Sequence, residues 1–338
     1  MWPTARPAPW ERRAAVLLYH RVATPEVDPW SLAVSPAHFD EHMAVLRRRA
    51  AVVPLDALPA LLARRDAPRR CVAVTFDDGY ADNLHAALPV LERHEVPATV
   101  FVTTGAVDGP GFWWDRLERL LLGAGTLPAR LEMTVLGARR EWSLDGWTSW
   151  SAVERRRHRA WRSGHPAPTP RHALFMELWS LLQTSVPAVR DRVVAELERW
   201  ASATPDGGDG APLGRDDLVR LGAHPLVGVG AHTVSHPRLS ALAPGEQSTE
   251  VVESRRYLEE LLGRPVHSFA YPHGRPGDYT PDTVRVVREA GFTRACVNQP
   301  GTIGVNGDPF ATPRAYVTDV DGGAFERHLS RWLRAPLR

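Results

Sequence analysis

Short apolar runs followed by amphipathic segments recur about seven times along this chain, and that alternation excludes most folds before any residue is singled out. The runs are Ala14 to Tyr19, Cys71 to Phe76, Ala98 to Val102, Leu226 to Gly230, His267 to Tyr271, Ala295 to Asn298 and Ala315 to Val317. Each has strand length, and helical segments lie between them. Ser35 offers an N-cap with Pro36 at the first position of a helix reaching Arg49, and Asp82 to His94 reads as a second helix. Pro244 to Leu262 is another, and Pro281 to Ala290 ends at Gly291. The repetition points to a parallel α/β architecture, with a closed barrel preferred over an open sheet that periodicity alone does not separate from it.

Residues 106–214 break the rhythm. They hold eight of the 12 tryptophans, a Pro-rich link at Gly164 to Pro170, helix-like stretches at Arg171 to Leu182 and Pro187 to Trp200, and a Gly/Asp linker at Pro205 to Gly210. The expected organisation is a first barrel part over 1–105, a Trp-rich helical insertion over 106–214, and a second barrel part over 215–338. Phe112-Trp113-Trp114 opens the insertion and reads either as an aromatic platform for a sugar or as a helical core.

Charge and composition remove whole classes of function. Forty-one basic against 39 acidic side chains leave +2, so no bulk field draws the chain to nucleic acid or an anionic membrane. Every basic residue is Arg, which rules out Schiff-base lysines, pyridoxal phosphate anchoring and a phosphate-loop lysine. Cys71 and Cys296 are too few for a thiolate zinc cage and read as small buried hydrophobes. The N-terminal residues lack the apolar core of a secretory signal and no run is long enough to span a membrane, so a cytoplasmic location and no stable membrane insertion are expected.

Two motifs carry the chemistry. Thr75-Phe76-Asp77-Asp78-Gly79 sets adjacent acids just past an apolar strand, at the end where parallel α/β proteins build their sites. Two neighbouring carboxylates resist joint ionisation unless a cation intervenes; a helix cap and Asx turn is the plainer alternative. His232-Thr233-Val234-Ser235-His236 places two imidazoles four apart, a spacing that serves either two cis ligands or a structural pair. Asp78 with His232 and His236 makes a two-His, one-carboxylate face with open positions, as a catalytic metal requires.

In these elements the chain resembles the polysaccharide deacetylases, the NodB-homology domains of carbohydrate esterase family four. The resemblance spans roughly residues 14–105 and 216–317 and implies a distorted (β/α)7 barrel. It further implies Asp77 as the catalytic base that deprotonates the attacking water, and Asp78, His232 and His236 as ligands of a divalent metal, zinc first. Two His and one carboxylate also suit other divalent ions. Phe269-Ala270-Tyr271-Pro272-His273-Gly274 is similar to the family's third element, an Arg followed by Pro-Tyr-Gly, with an apolar residue at the Arg position and His273 at the Tyr. The His273 backbone N–H still suits an oxyanion donor, and Arg314 is a candidate replacement for the missing Arg.

The family's C-terminal Leu-x-His is absent, and His328 reads as a surface helix residue. Tyr19-His20 matches instead the N-terminal Tyr-His of the branch resembling poly-N-acetylglucosamine deacetylases, which makes His20 the expected general acid. A structural His bonding a loop carbonyl is the alternative there. The function so implied is hydrolysis of the N-acetyl amide of an amino sugar, in a glycan intermediate or small glycosylated precursor. Hydrolysis of a cyclic imide or ureide on the same barrel, or non-catalytic carbohydrate binding, stand as alternatives.

Overall fold

The computed structural model describes residues 13–123, 125–202 and 210–334. The linker expected at 205–210 lies, apart from Gly210, outside the described residues, as do the first 12 residues, which carry the expectation of no secretory signal. Two compact units emerge. One comprises the chain up to Ala23, Ala33–Val107 and Leu213 onward; the other comprises Thr24–Leu32 and Asp108–Pro212.

The first unit is a barrel. Around its ring run β1 (Arg13–Tyr19), β2 (Arg70–Phe76), β3 (Ala98–Val102), β4 (Val227–Ala231), β5 (Ser268–Ala270), β6 (Arg294–Val297), β7 (Thr312–Pro313) and β8 (Ala315–Tyr316), while a ninth short strand of the same sheet, Ala51–Val52, pairs with β2 off this path. They pair in the order β7-β6-β5-β4-β3-β2-β1-β8, every pair parallel. The two ends of this path are separated in sequence by Arg314 alone. One extended stretch therefore pairs with β6 through Cys296–Thr312 and with β1 through Leu17–Ala315, which nearly closes seven strand positions into a ring. The nearly closed parallel barrel with its surrounding helices is the (β/α)7-type architecture that the family resemblance implied, and it decides for the barrel where the strand–helix alternation left an open sheet possible.

Alternation along each strand sorts side chains into two cores. Val72, Val74 and Phe76 of β2 face the outer helices with Leu17, Tyr19, Val100 and Val102. Cys71 and Ala73 face inward with Ala14, Val16, Phe101, Ala270 and Cys296. Small residues make up much of this inner cluster, and Phe101, Ile303, Leu55, Leu58 and Leu62 complete it. A Cβ at Gly230 would stand 2.5 Å from the Phe101 ring, so only glycine fits opposite it. Both cysteines are free and wholly buried here.

Helix Pro36–Arg49 carries a second consequence of burial. His42, with no exposed surface, lies against the Phe325 ring at 4.0 Å between centroids. Its Nε2 lies 2.7 Å from the Val320 carbonyl, so it is the protonated nitrogen, and Nδ1 accepts from the Tyr19 hydroxyl at 3.2 Å. Burial lowers its pKa from 6.5 to about 4, the Val320 carbonyl acting in the opposite direction. A His whose pKa falls on folding binds its proton more readily in the unfolded chain, so stability declines as pH drops below 6.5 and levels off near 4. Urea titrations between pH 7 and pH 4 should show this His contributing up to ~3 kcal/mol to the decline, with a shallower slope in His42→Gln. Parallel slopes for the two proteins would contradict it.

The second unit is not wholly helical. Helices Trp113–Leu122, Ala152–His158, Pro170–Leu182 and Pro187–Trp200 form it with an antiparallel hairpin, Arg130–Val135 against Ala138–Ser143. The hairpin departs from the helical insertion expected. Its first strand alternates exposed and buried residues, and Leu136 and Gly137 turn the chain with φ of 51° and 80°. Phe112, Trp113 and Trp114 are buried, which fits the core role rather than a platform. Trp30 packs on Trp179 with centroids 4.2 Å apart.

Candidate metal centre

The loops that leave the C-terminal ends of β2 and β4 bring the two sequence motifs together. Asp77 donates its backbone N–H to the Tyr19 carbonyl, so the chain continues as a strand for one residue past β2 and then turns at Asp78 and Gly79, with φ of 74° and 84°. After β4, His232 donates its N–H to the Val102 carbonyl, and Thr233 and His236 take φ of 66° and 54°. His273, following β5, has φ of 59°. Four of the nine described non-glycine residues in the left-handed region thus stand at this mouth. Such conformations cost on the order of 1 kcal/mol each, and the surrounding hydrogen bonds hold them.

Asp78, His232 and His236 each present one donor atom, and the three atoms lie within 4.8 Å of one another. Asp78 Oδ1 stands 3.6 Å from His232 Nε2 and 3.5 Å from His236 Nε2. His232 Nδ1 lies 2.8 Å from the Ala270 carbonyl and donates to it, which fixes the tautomer and leaves the Nε2 lone pair facing the centre. Burial lowers the His232 pKa, keeping the ring in the neutral form a ligand needs. One carboxylate and two imidazoles so arranged fit a divalent ion with open positions.

Asp77 stands beside this group, its Oδ2 3.9 Å from His232 Nε2. Arg314, at the break between β7 and β8, grips it in a bidentate pair: Nη1 to Oδ1 at 2.6 Å and Nη2 to Oδ2 at 2.7 Å. The guanidinium lies 5.5 Å over the Phe101 ring of the inner cluster. Burial by itself would raise the Asp77 carboxyl, but Arg314 first, then His232, outweigh it and hold the group below the ordinary carboxylate range. The carboxylate stays ionised and oriented.

His20 directly follows β1 at the same mouth, its carbonyl accepting from Asn83 Nδ2 at 2.9 Å and its ring 5.4 Å from Tyr316. Burial lowers its pKa to about 4, with Asp77 pulling upward and Arg314 and His232 downward. Those three influences put His20 in the electrostatic field of the centre. The His273 ring packs edge-on against His236 at 4.9 Å. His328 lies on the last helix, Gly322–Trp332, beside Trp332. Sequence reasoning missed Glu250, whose carboxylate binds the loop between the two ligand histidines; it stands 14 positions after His236, and no motif marks it.

Strand order, closure and the acid–imidazole cluster at the C-terminal mouth define a parallel (β/α)7-type barrel of the deacetylase class. The sequence model of the polysaccharide deacetylase family matches this chain over residues 64–123 and 197–295. Those stretches contain Asp77, Asp78, His232, His236 and His273 and exclude His20 and Arg314. YxkH of Bacillus subtilis (strain 168) is 19% identical over 329 residues, covering 96% of this chain and 78% of its own. Among solved structures, the Streptococcus pyogenes deacetylase PplD in complex with acetate superposes with a TM-score of 0.57 at 16% identity, over 94% of this chain and 99% of its own. IcaB from Ammonifex degensii does so at 0.55 and 20%, over 96% and 98%. These likenesses concern the fold. No helix among the described residues is long and apolar enough to cross a membrane.

Proposed function

We propose that this chain is a metal-dependent deacetylase that hydrolyses the N-acetyl amide of an amino sugar, in a glycan intermediate or small glycosylated precursor. The observation that carries the reading is the placement of the Arg314-held Asp77 carboxylate beside three convergent donor atoms. Asp78, His232 and His236 would hold the ion, zinc being the first candidate. When bound, it supplies Lewis-acid polarisation of the amide carbonyl and acidifies water.

Asp77 takes the proton of the attacking water at a carboxylate oxygen, Arg314 keeping that carboxylate ionised and fixed in orientation. The His273 backbone N–H donates to the oxyanion as it develops. The departing amine needs a proton, because an amine anion is a poor leaving group, and His20 is the group assigned to deliver it. His20 rests as the neutral imidazole, since burial holds its pKa near 4. Negative charge developing at the carbonyl oxygen raises its affinity for a proton. The proton that Asp77 takes from the water therefore passes on to the His20 imidazole, which gives it to the amine nitrogen as the C–N bond breaks and returns to its neutral form.

PplD, a deacetylase whose structure was solved in complex with acetate, supports the same bond as the target here. The test is acetate release from a panel of N-acetyl amino sugars, free and oligomeric, by protein reconstituted with zinc. Turnover of a cyclic imide or ureide without acetate would assign the same centre to another amide. Sugar binding without any turnover would make the protein a carbohydrate binder. His20→Ala should lower kcat about 10²- to 10⁴-fold at unchanged metal content. A parental rate would return His20 to a structural role.

A further inference from the structure

The segment between the two ligand histidines is held from outside by one side chain. Glu250, half-buried on helix Pro244–Leu262, accepts the backbone N–H of Val234 at 2.9 Å and of Ser235 at 2.8 Å on Oε2, and the Ser235 hydroxyl at 2.5 Å on Oε1. Three donors on one carboxylate are charge-assisted bonds, stronger than neutral ones. On the other side, Thr104 and Gly105 donate their N–H groups to the Thr233 and Val234 carbonyls at 3.1 and 2.8 Å. A Cβ at Gly105 would lie 2.6 Å from the Val234 oxygen, so that approach requires glycine. Within the loop, Thr233 Oγ1 accepts the His236 N–H at 3.0 Å.

We infer that Glu250 is a positioning residue that sets the His232–His236 loop in its ligating conformation before any ion arrives. The inference rests on the metal reading of that loop. Thr233 and His236 occupy backbone conformations that L-residues adopt at a cost, and within the loop the Thr233 Oγ1 bond to the His236 N–H leaves the Val234 and Ser235 N–H groups to be satisfied from outside. Val234 and Ser235, between the two, have their N–H groups turned to the same side, and the Glu250 carboxylate is the acceptor that makes this arrangement favourable. Without it, the loop is free to relax toward conformations in which His236 no longer shares a focus with Asp78 and His232. Glu250 touches none of the three ligands in any bond described, so it acts through the loop.

Two measurements separate this role from a general contribution to folding. In metal-stripped protein, NMR-detected amide exchange at Val234 and Ser235 should be on the order of tenfold faster in Glu250→Ala than in the parent. In Gln247→Ala, on the same helix, it should be parental. Gln247 bonds Thr283 and the Leu242 carbonyl instead, so its loss perturbs the helix without touching the loop. Zinc competition with a chromophoric chelator should then show Glu250→Ala weakened about 10- to 100-fold, and Gln247→Ala unchanged.

Glu250→Gln should retain most of the affinity, because its carbonyl oxygen accepts both N–H groups and its NH₂ donates to the Ser235 hydroxyl oxygen. Parental exchange in Glu250→Ala overturns the inference, and so does equal weakening of zinc binding by Gln247→Ala. A parent with no zinc affinity would overturn the metal reading itself. The exchange rates would still decide whether Glu250 anchors the loop.

Discussion

Asp77→Asn should reduce deacetylation about 10²- to 10⁴-fold while zinc remains bound, the loss expected when a general base is removed and its surroundings are kept. The substitution preserves shape and leaves Asp78, His232 and His236 untouched, so metal content measured by atomic emission should stay at the parental value. His232→Ala removes a ligand and should lose metal and activity together. The contrast between the two variants is the informative result, because it separates proton transfer from ion binding within one cluster. Equal activity of Asp77→Asn and the parent would remove Asp77 from the base role. Circular dichroism of both variants guards against a folding defect, since in Asp77→Asn a neutral amide gives Arg314 a weaker partner than the carboxylate it replaces.

Arg314→Met should destabilise the barrel by about 3–5 kcal/mol, an effect well beyond that of a surface substitution. Arg314 is 1% exposed and Asp77 3%, and each is the other's bidentate partner, so deleting one leaves a charge buried without compensation. Removing both charges, in Asp77→Asn with Arg314→Met, should cost less than the two single changes added together, by roughly 1–3 kcal/mol. Arg314→Lys should recover only part of the loss, because an ammonium cannot form the two parallel bonds of a guanidinium. Chemical denaturation of the parent and these variants measures the cycle. Additive costs would mean that the pair is a contact of convenience and that Asp77 is held by the β2 backbone instead.

The pairing matters beyond stability because it spans 237 residues. The Arg position of the element Phe269 to Gly274 is apolar here, Ala270, and that residue lines the lumen. Arg314 enters from two strand positions further round the ring, at the point where the last extended stretch changes partner from β6 to β1. Asp77 is therefore engaged from the last extended stretch and not from β5. This exchange is possible because inward-facing residues at the mouth of a barrel converge on one volume whichever strand carries them.

Helix Pro244–Leu262 and strand Ala98–Val102 begin and end where the sequence indicates, since a proline start, a glycine stop and an uninterrupted apolar run are local signals. The hairpin at 130–143 is not legible in the same way and merges with the helical insertion. Its exposed strand Ala138–Ser143 is dominated by Arg, Glu and Trp, and its alternation is too short to outweigh the helical stretches around it. The convergence of Asp78, His232 and His236 is legible because each motif adjoins its own strand end. Glu250 is not, because a glutamate on an amphipathic helix looks the same whether it faces solvent or two backbone N–H groups.

By itself the sequence determined the parallel α/β class, the order of strands and helices, and the residue types brought to the mouth, because apolar periodicity and backbone sterics act over a few neighbours. Only the tertiary structure decided which guanidinium grips Asp77, which carboxylate holds the histidine loop, and that one stretch, broken at Arg314, closes the ring. Those outcomes depend on distances between segments far apart in the chain, and such distances exist only once the strands have taken their places around a common lumen.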